Sequence, residues 1–181
     1  MKVISGKYKG RVLDGFDIVG TRPTMDRVKE SLFAMIQGYL DEAVVLDLFS
    51  GSGNLGIEAL SEGAKICYFV DKNKKASQII KRNLDKILCD DYFLFSLDYQ
   101  EALRKFSLES LKFDLIFLDP PYQTDFVAKS ILLIDKYQLL THDGIIVCES
   151  DTEEKITYPN NFIVVKKKKY GDKWVVILKQ V

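Results

Sequence analysis

From residue 44 onward, short apolar runs alternate with amphipathic helical patterns, and this alternation restricts the possible folds more than any other property of the chain. Val44–Phe49, Ile66–Val70, Tyr92–Leu97, Phe113–Leu118 and Ile145–Cys148 read as strands. Asn54–Glu62, Lys74–Leu88, Tyr99–Phe106 and Phe126–Tyr137 read as the helices between them. Strands that are apolar throughout are buried on both faces, so the pattern predicts βαβ units and a parallel sheet covered by helices on both sides. The alternation then stops. Phe162–Lys166 and Lys173–Leu178 flank Tyr170-Gly171-Asp172, a hairpin signal. The expected architecture is α/β, a mostly parallel seven-stranded sheet ending in an antiparallel hairpin.

The 181 residues, 47% of them hydrophobic, suffice for one domain with a sizeable core. We expect residues 23–181 to form the α/β core and residues 1–22 a basic arm laid on it. No apolar run approaches the ~20 residues needed to span a bilayer, and the N-terminus lacks the apolar stretch of a signal peptide. Cys67 and Cys148 lie in strand-like apolar runs and read as small buried hydrophobes in a reducing cytoplasm, and the three cysteines, Cys89 included, have neither C-x-x-C spacing nor neighbouring histidines to make a metal site. The single His142 sits in Thr141-His142-Asp143-Gly144, which reads as a turn.

Net charge is zero, but its distribution is uneven. Lys2, Lys7, Lys9 and Arg11 fall in an acid-free start, Arg22, Arg27 and Lys29 follow, and Lys166–Lys169 form a second run. Such local basic patches can hold phosphates on a neutral protein. Thr24 is expected to cap a helix in which Val28, Leu32, Ile36 and Leu40 form the apolar stripe. Arg22, Arg27 and Lys29 lie outside that stripe and are expected to face a ligand.

After the first strand, Gly51, Gly53 and Gly56 match the spacing of a dinucleotide-binding turn. The helix N-terminus that follows favours phosphate, but Asp47, at the end of the strand, repels it and suits a cation. Three further strands also end in aspartate, Asp71, Asp98 and Asp119, and such acids converge at the carboxyl edge of an open α/β sheet. Asp71 is spaced to bind ribose hydroxyls, and Asp98 can accept from an adenine amino group. A cationic nucleoside, S-adenosylmethionine, satisfies all of these, whereas NAD brings a pyrophosphate against Asp47.

Asp119-Pro120-Pro121-Tyr122 is the second signal. Two prolines hold the backbone away from helix and leave the Pro120 carbonyl free to accept. A carboxylate and a carbonyl can each accept one N–H of an exocyclic base amine, while the tyrosine stacks on the base.

These residues resemble the class I S-adenosylmethionine-dependent methyltransferases, a Rossmann-like family. Asp47-Leu48-Phe49-Ser50-Gly51-Ser52-Gly53 is similar to their first motif, and Asp119–Tyr122 to that of the amino-group methylases. Gly6-Lys7-Tyr8-Lys9-Gly10-Arg11, the run from Arg22-Pro23-Thr24 to Phe33, and Gly56–Leu60 more narrowly resemble the RsmD family of 16S rRNA guanine-N2 methyltransferases. Asn54 departs mildly from the small residue expected there. The resemblance implies methyl transfer to a guanine N2 of 16S rRNA, within an assembled or assembling small ribosomal subunit, by a cytoplasmic monomer. It places the cofactor on Asp47, Phe49, Gly51, Gly53, Asp71 and Asp98. Asp119, Pro120, Pro121 and Tyr122 become the catalytic set, and Lys7, Lys9, Arg11, Arg22, Thr24 and Arg27 the RNA contacts. The competing readings are N6-adenine methylation of DNA or RNA, a non-catalytic RNA-binding module and, opposed by Asp47, a nicotinamide-dependent dehydrogenase.

Overall fold

The computed structural model describes residues 1–16, 23–121 and 125–181, and of residues 23–25 the backbone only. Its sheet is built from β1 (Val44–Asp47), β2 (Ile66–Val70), β3 (Tyr92–Phe95), β4 (Phe113–Leu118), β5 (Leu140–Ser150), β6 (Phe162–Tyr170) and β7 (Lys173–Gln180). The helices are α1 (Pro23–Ile36), α2 (Asn54–Ser61), α3 (Lys74–Lys86), α4 (Tyr99–Leu108) and α5 (Phe126–Lys136). Strand order is β3-β2-β1-β4-β5-β7-β6. The first five strands pair in parallel, and β7 pairs antiparallel with both β5 and β6. The chain winds outward from β1 in one direction and from β4 in the other, so their junction is the switch point where ligands of open sheets bind.

Alternation along the strands divides the core between two faces. Val45, Leu115, Phe117, Ile145, Val147, Val175 and Ile177 pack against Leu32, Phe33 and Ile36 of α1, Ile57 and Leu60 of α2, and Ile80 and Leu84 of α3. Leu46, Ile116, Leu118, Ile146, Cys148, Val176 and Leu178 pack against Leu103 and Phe106 of α4 and Ile131 and Ile134 of α5. No helix among the described residues is long and apolar enough to cross a membrane.

The N-terminal segment is a hairpin closed by a bridge between Lys2 and Val12. Val3 and Leu13 are buried in the α1–α3 face of the core. Its tip reaches the end of α2, where the Lys7 amide donates to the Ser61 carbonyl at 2.8 Å. Gly6 is required there: at φ +76, a Cβ would lie 1.8 Å from the Ser61 carbonyl oxygen. The other end of the hairpin lies beside the glycine turn, because the Asn83 amide nitrogen donates to both the Asp14 and Ser52 carbonyls at 3.0 Å.

Four expectations are corrected. Thr24 lies inside α1, whose first described residue is Pro23, so it is not the cap; proline is favoured at a first helical position because it lacks an amide hydrogen to leave unsatisfied. Lys29 does not face outward. It is 3% exposed and its ammonium lies 2.6 Å from Glu58. Strand β5 starts at Leu140, so His142 lies within it; the register jumps from Phe113–Leu140 to Leu115–Ile145, and this irregularity absorbs the turn-like residues. Strand β6 continues through the lysine run to Tyr170.

Candidate active site

The glycine turn is held from below by polar contacts. The Ser50 hydroxyl donates to the Asp47 carbonyl at 2.6 Å and accepts from the Val70 amide at 2.9 Å. The Gly56 amide donates to Asp47 Oδ2 at 3.1 Å, placing a carboxylate at the positive end of α2. Gly51 and Gly53 adopt φ +53 and +81, favoured by glycine. Gly53 is also packed closely, since a Cβ would lie 3.2 Å from Ile80. Gly51 donates its amide to Asp71 Oδ2 at 2.9 Å, tying the turn to the end of β2.

Above the turn is a cavity of about 340 Å3, lined among others by Phe49, Gly51, Asp71, Asp98, Asp119, Pro120 and Pro121. The fold thus brings together residues spread over seventy positions of sequence. Leu97, Tyr99 and Phe126 add an apolar wall, with Phe49–Tyr99 and Tyr99–Phe126 ring centroids 5.4 and 5.1 Å apart. Sequence reasoning missed Tyr99 and Phe126, which look like ordinary apolar positions at helix starts. Asp98 also caps α4, accepting from the Gln100 amide at 2.9 Å in a capping box with Glu101. Each Asp71 oxygen accepts one backbone amide, from Gly51 and Asn73, which leaves further acceptor capacity on both.

Asp47 and Gly53, expected among the cofactor contacts, are buried and are not among the residues lining the cavity. Asp47 is 2% exposed, and burial, reinforced by Asp71 and Glu149, pushes its carboxyl up to about 7 despite the Gly56 amide. Asp119 is pushed up to about 8, first by burial, then by Glu149 and Asp47, with Lys173 opposing. Glu149, at the end of β5, is 5% exposed and accepts from the Lys173 ammonium at 3.2 Å. Both residues went unassigned in the sequence. That Glu149 is a fifth strand-terminal acid is the signal that singles it out.

The basic residues divide by position. Lys7 lies 3.7 Å from Asp91, ahead of β3, so the hairpin tip with Lys9 and Arg11 lies toward the edge opposite the cavity. The structure does not bring these three to Asp119. Arg27 is exposed on α1. The end of β6 packs beside α1, where Tyr170 and Ser31 share a 2.6 Å hydrogen bond and Lys168 donates to Ser31 at 3.2 Å. Lys169 lies over the Trp174 ring, 5.7 Å from its centroid. Strand β6 runs parallel to β5, so these lysines stand at the carboxyl edge, the same edge as the cavity. Arg22 and Tyr122 lie outside the described residues, as does the side chain of Thr24.

The cavity has the lining a cationic nucleoside needs, with aromatic side chains (Phe49, Tyr99, Phe126) and three carboxylates (Asp71, Asp98, Asp119). Fold and site together define a class I S-adenosylmethionine-dependent methyltransferase. The family described as Conserved hypothetical protein 95 matches residues 1–179, and the chain belongs to this family, the RsmD family. It is 43% identical to YlbH of Bacillus subtilis over 99% of both chains. It is 34% identical to ribosomal RNA small subunit methyltransferase D of Haemophilus influenzae, over 94% of this chain and 89% of that one. The solved structure of yhhF from Escherichia coli superposes with a TM-score of 0.86 at 27% identity, covering 99% of this chain and 97% of that one.

Proposed function

We propose that the protein methylates the N2 amino group of a guanine in 16S rRNA, acting as a monomer on the small ribosomal subunit. The observation that carries this reading is the placement of Asp119-Pro120-Pro121 on the same cavity as Gly51, Asp71 and Asp98. Relatives named for small-subunit rRNA methylation supply the class of substrate.

Phe49, Gly51, Asp71 and Asp98 line the space for the cofactor, and Asp47 sets the turn and faces its cationic end through Gly53. The cofactor supplies an electrophilic methyl group, which leaves its sulfonium sulfur for the guanine N2. Asp119 and the Pro120 carbonyl accept the two N2 hydrogens and turn the amine lone pair toward the cavity; Pro121 fixes the carbonyl, and Tyr122 stacks on the extruded base. Asp119 takes the proton lost from N2, a role suited by its elevated pKa. Thr24 and Arg27 of α1, Arg22 ahead of them in sequence, and Lys166–Lys169 contact the rRNA backbone near the base. Lys7, Lys9 and Arg11 contact rRNA that continues along the α2 side.

Incubation with labelled cofactor and either unmethylated small subunits or naked DNA tests the reading, followed by mass spectrometry of the product nucleosides. N2-methylguanosine from 16S rRNA is expected. N6-methyladenosine from rRNA or N6-methyl-2′-deoxyadenosine from DNA gives the site to the adenine reading instead, and absence of transfer to either substrate leaves only a binding module.

A further inference from the structure

Continuing the alternation of each strand puts Asp47, Asp119, Glu149 and Lys173 on the sheet face that α1 covers, at its carboxyl edge. Leu118 pairs with Cys148, and Glu149 with Val175. Asp119 therefore stands beside Glu149 across β4 and β5, adjacent strands being about 4.8 Å apart, and Lys173, two residues before Val175 on β7, is the diagonal neighbour of Glu149. Asp119 belongs to the cavity. Glu149 stands one strand further from the cofactor space, 5% exposed, with the Lys173 ammonium 3.2 Å from its Oε2. Among the described residues no group of acids and other ligands is placed to hold a metal ion.

We propose that Glu149 is a specificity-determining residue that accepts the N1–H of the acceptor guanine while Lys173 faces its O6. This rests on the guanine-N2 reading and deepens it. A base whose amino group is held by Asp119 presents its next ring position toward the neighbouring strand. In guanine that position is N1–H, a donor, followed by O6, an acceptor. The row acceptor, acceptor, donor formed by Asp119, Glu149 and Lys173 is the complement of N2–H, N1–H, O6. Adenine places an unprotonated N1 beside its amine, which would meet the Glu149 carboxylate lone pair to lone pair. Enzymes that extrude a base read it by hydrogen bonds to this edge. A site built to bind an N–H rejects the analogue lacking it far more strongly than an apolar pocket rejects a missing methyl, because its polar groups are left unpaired.

The test uses small subunits reconstituted with 16S rRNA carrying guanine or 2-aminopurine at the methylated position. 2-Aminopurine keeps the 2-amino group but has an unprotonated N1 and no O6. For the wild-type protein we expect kcat/KM to fall by more than about tenfold on 2-aminopurine. Glu149→Gln, whose amide can donate to that N1, should close the gap by at least about threefold; Glu149→Asp should lose rate on both bases and keep the gap. Affinity for S-adenosylmethionine should stay the same in all three. A wild-type gap below about tenfold overturns the proposal with no variant needed. Equal losses on both bases in Glu149→Gln also overturn it, since a purely structural ion pair predicts just that. Failure of the guanine reading would look different: the wild-type product from unmodified subunits would contain no N2-methylguanosine.

Discussion

Asp119 sits where burial, Glu149 and Asp47 all disfavour its charge, and the resulting value of about 8 has a kinetic signature. A base acts only when deprotonated, so kcat/KM should climb with pH through about 8, because this parameter reports the free enzyme. Asp119→Asn should flatten that climb and lower kcat by ~10²-fold or more while leaving cofactor affinity within a few-fold. Stopped assays across pH 6–9 with calorimetric titration of the cofactor check both, and lost cofactor binding would move Asp119 out of the acceptor role. Asp47 shows the same burial effect with the opposite use. Its folded pKa of about 7 lies above its ordinary 3.8, so the contribution of the neutral carboxyl to stability is present at low pH and lost as pH rises through 7. Asp47→Asn keeps an oxygen for the Gly56 amide and carries no charge. Urea unfolding should therefore show it more stable than wild type at pH 8, with the difference shrinking as pH falls toward 4, while cofactor affinity drops.

At the scale of elements, the buried pair of Lys29 and Glu58 joins three pieces of chain. Besides its 2.6 Å approach to Glu58, the Lys29 ammonium donates to the Lys2 carbonyl and Asn54 Oδ1 at 2.8 Å. Glu58 accepts from the Ile4 and Ser5 amides at 2.9 Å. Removing one member strands the other charge in the interior, so Lys29→Met should cost roughly 3–5 kcal/mol in chemical denaturation. This node also accounts for Asn54, the one residue of the turn that departs from a small side chain: its oxygen is a partner for Lys29. Neither feature was legible in the sequence, since a charged residue on an amphipathic helix reads as solvent-facing and its partner lies on another helix. By contrast, β2 and β4 were legible to the residue: β2 is an unbroken apolar run, β4 is apolar but for Asp114, and each is followed by an aspartate. The start of β5 was not, because a strand irregularity and a turn use the same Thr-His-Asp-Gly chemistry. The lysine run read as a loose basic patch, and its position was invisible until β6 was seen to run parallel to β5. If those lysines track rRNA phosphates, Lys168→Gln with Lys169→Gln should weaken binding and reduce the salt slope by about 1.4–1.8, with little change in melting temperature. An unchanged slope would assign them instead to protecting an edge strand.

For the whole molecule, the reading of the turn has a direct thermal consequence. A ligand that binds only the folded state at a hundred times its dissociation constant stabilises by about 2.7 kcal/mol, or roughly 5–10 °C for a domain of this size. S-adenosylmethionine should give that shift and NAD none; a shift with NAD alone would restore the dinucleotide reading of the glycine spacing. The alternation of strands and helices announced the architecture because each crossover needs its own helix. Asp71, Asp98 and Asp119 reach the cavity because each follows a strand of the parallel sheet, whereas the pairing of Glu149 with Lys173 was illegible, because it depends on two strands lying side by side. The order of the last strands has a further effect, on synthesis. Strand β7 is made after β6 yet fills the slot between β5 and β6. While the nascent chain grows, β5 has an open hydrogen-bonding edge and β6 has nothing to pair with. The half of the sheet carrying Glu149 therefore closes only when Lys173–Gln180 have left the exit tunnel, and until then the growing chain exposes a template for any stray strand.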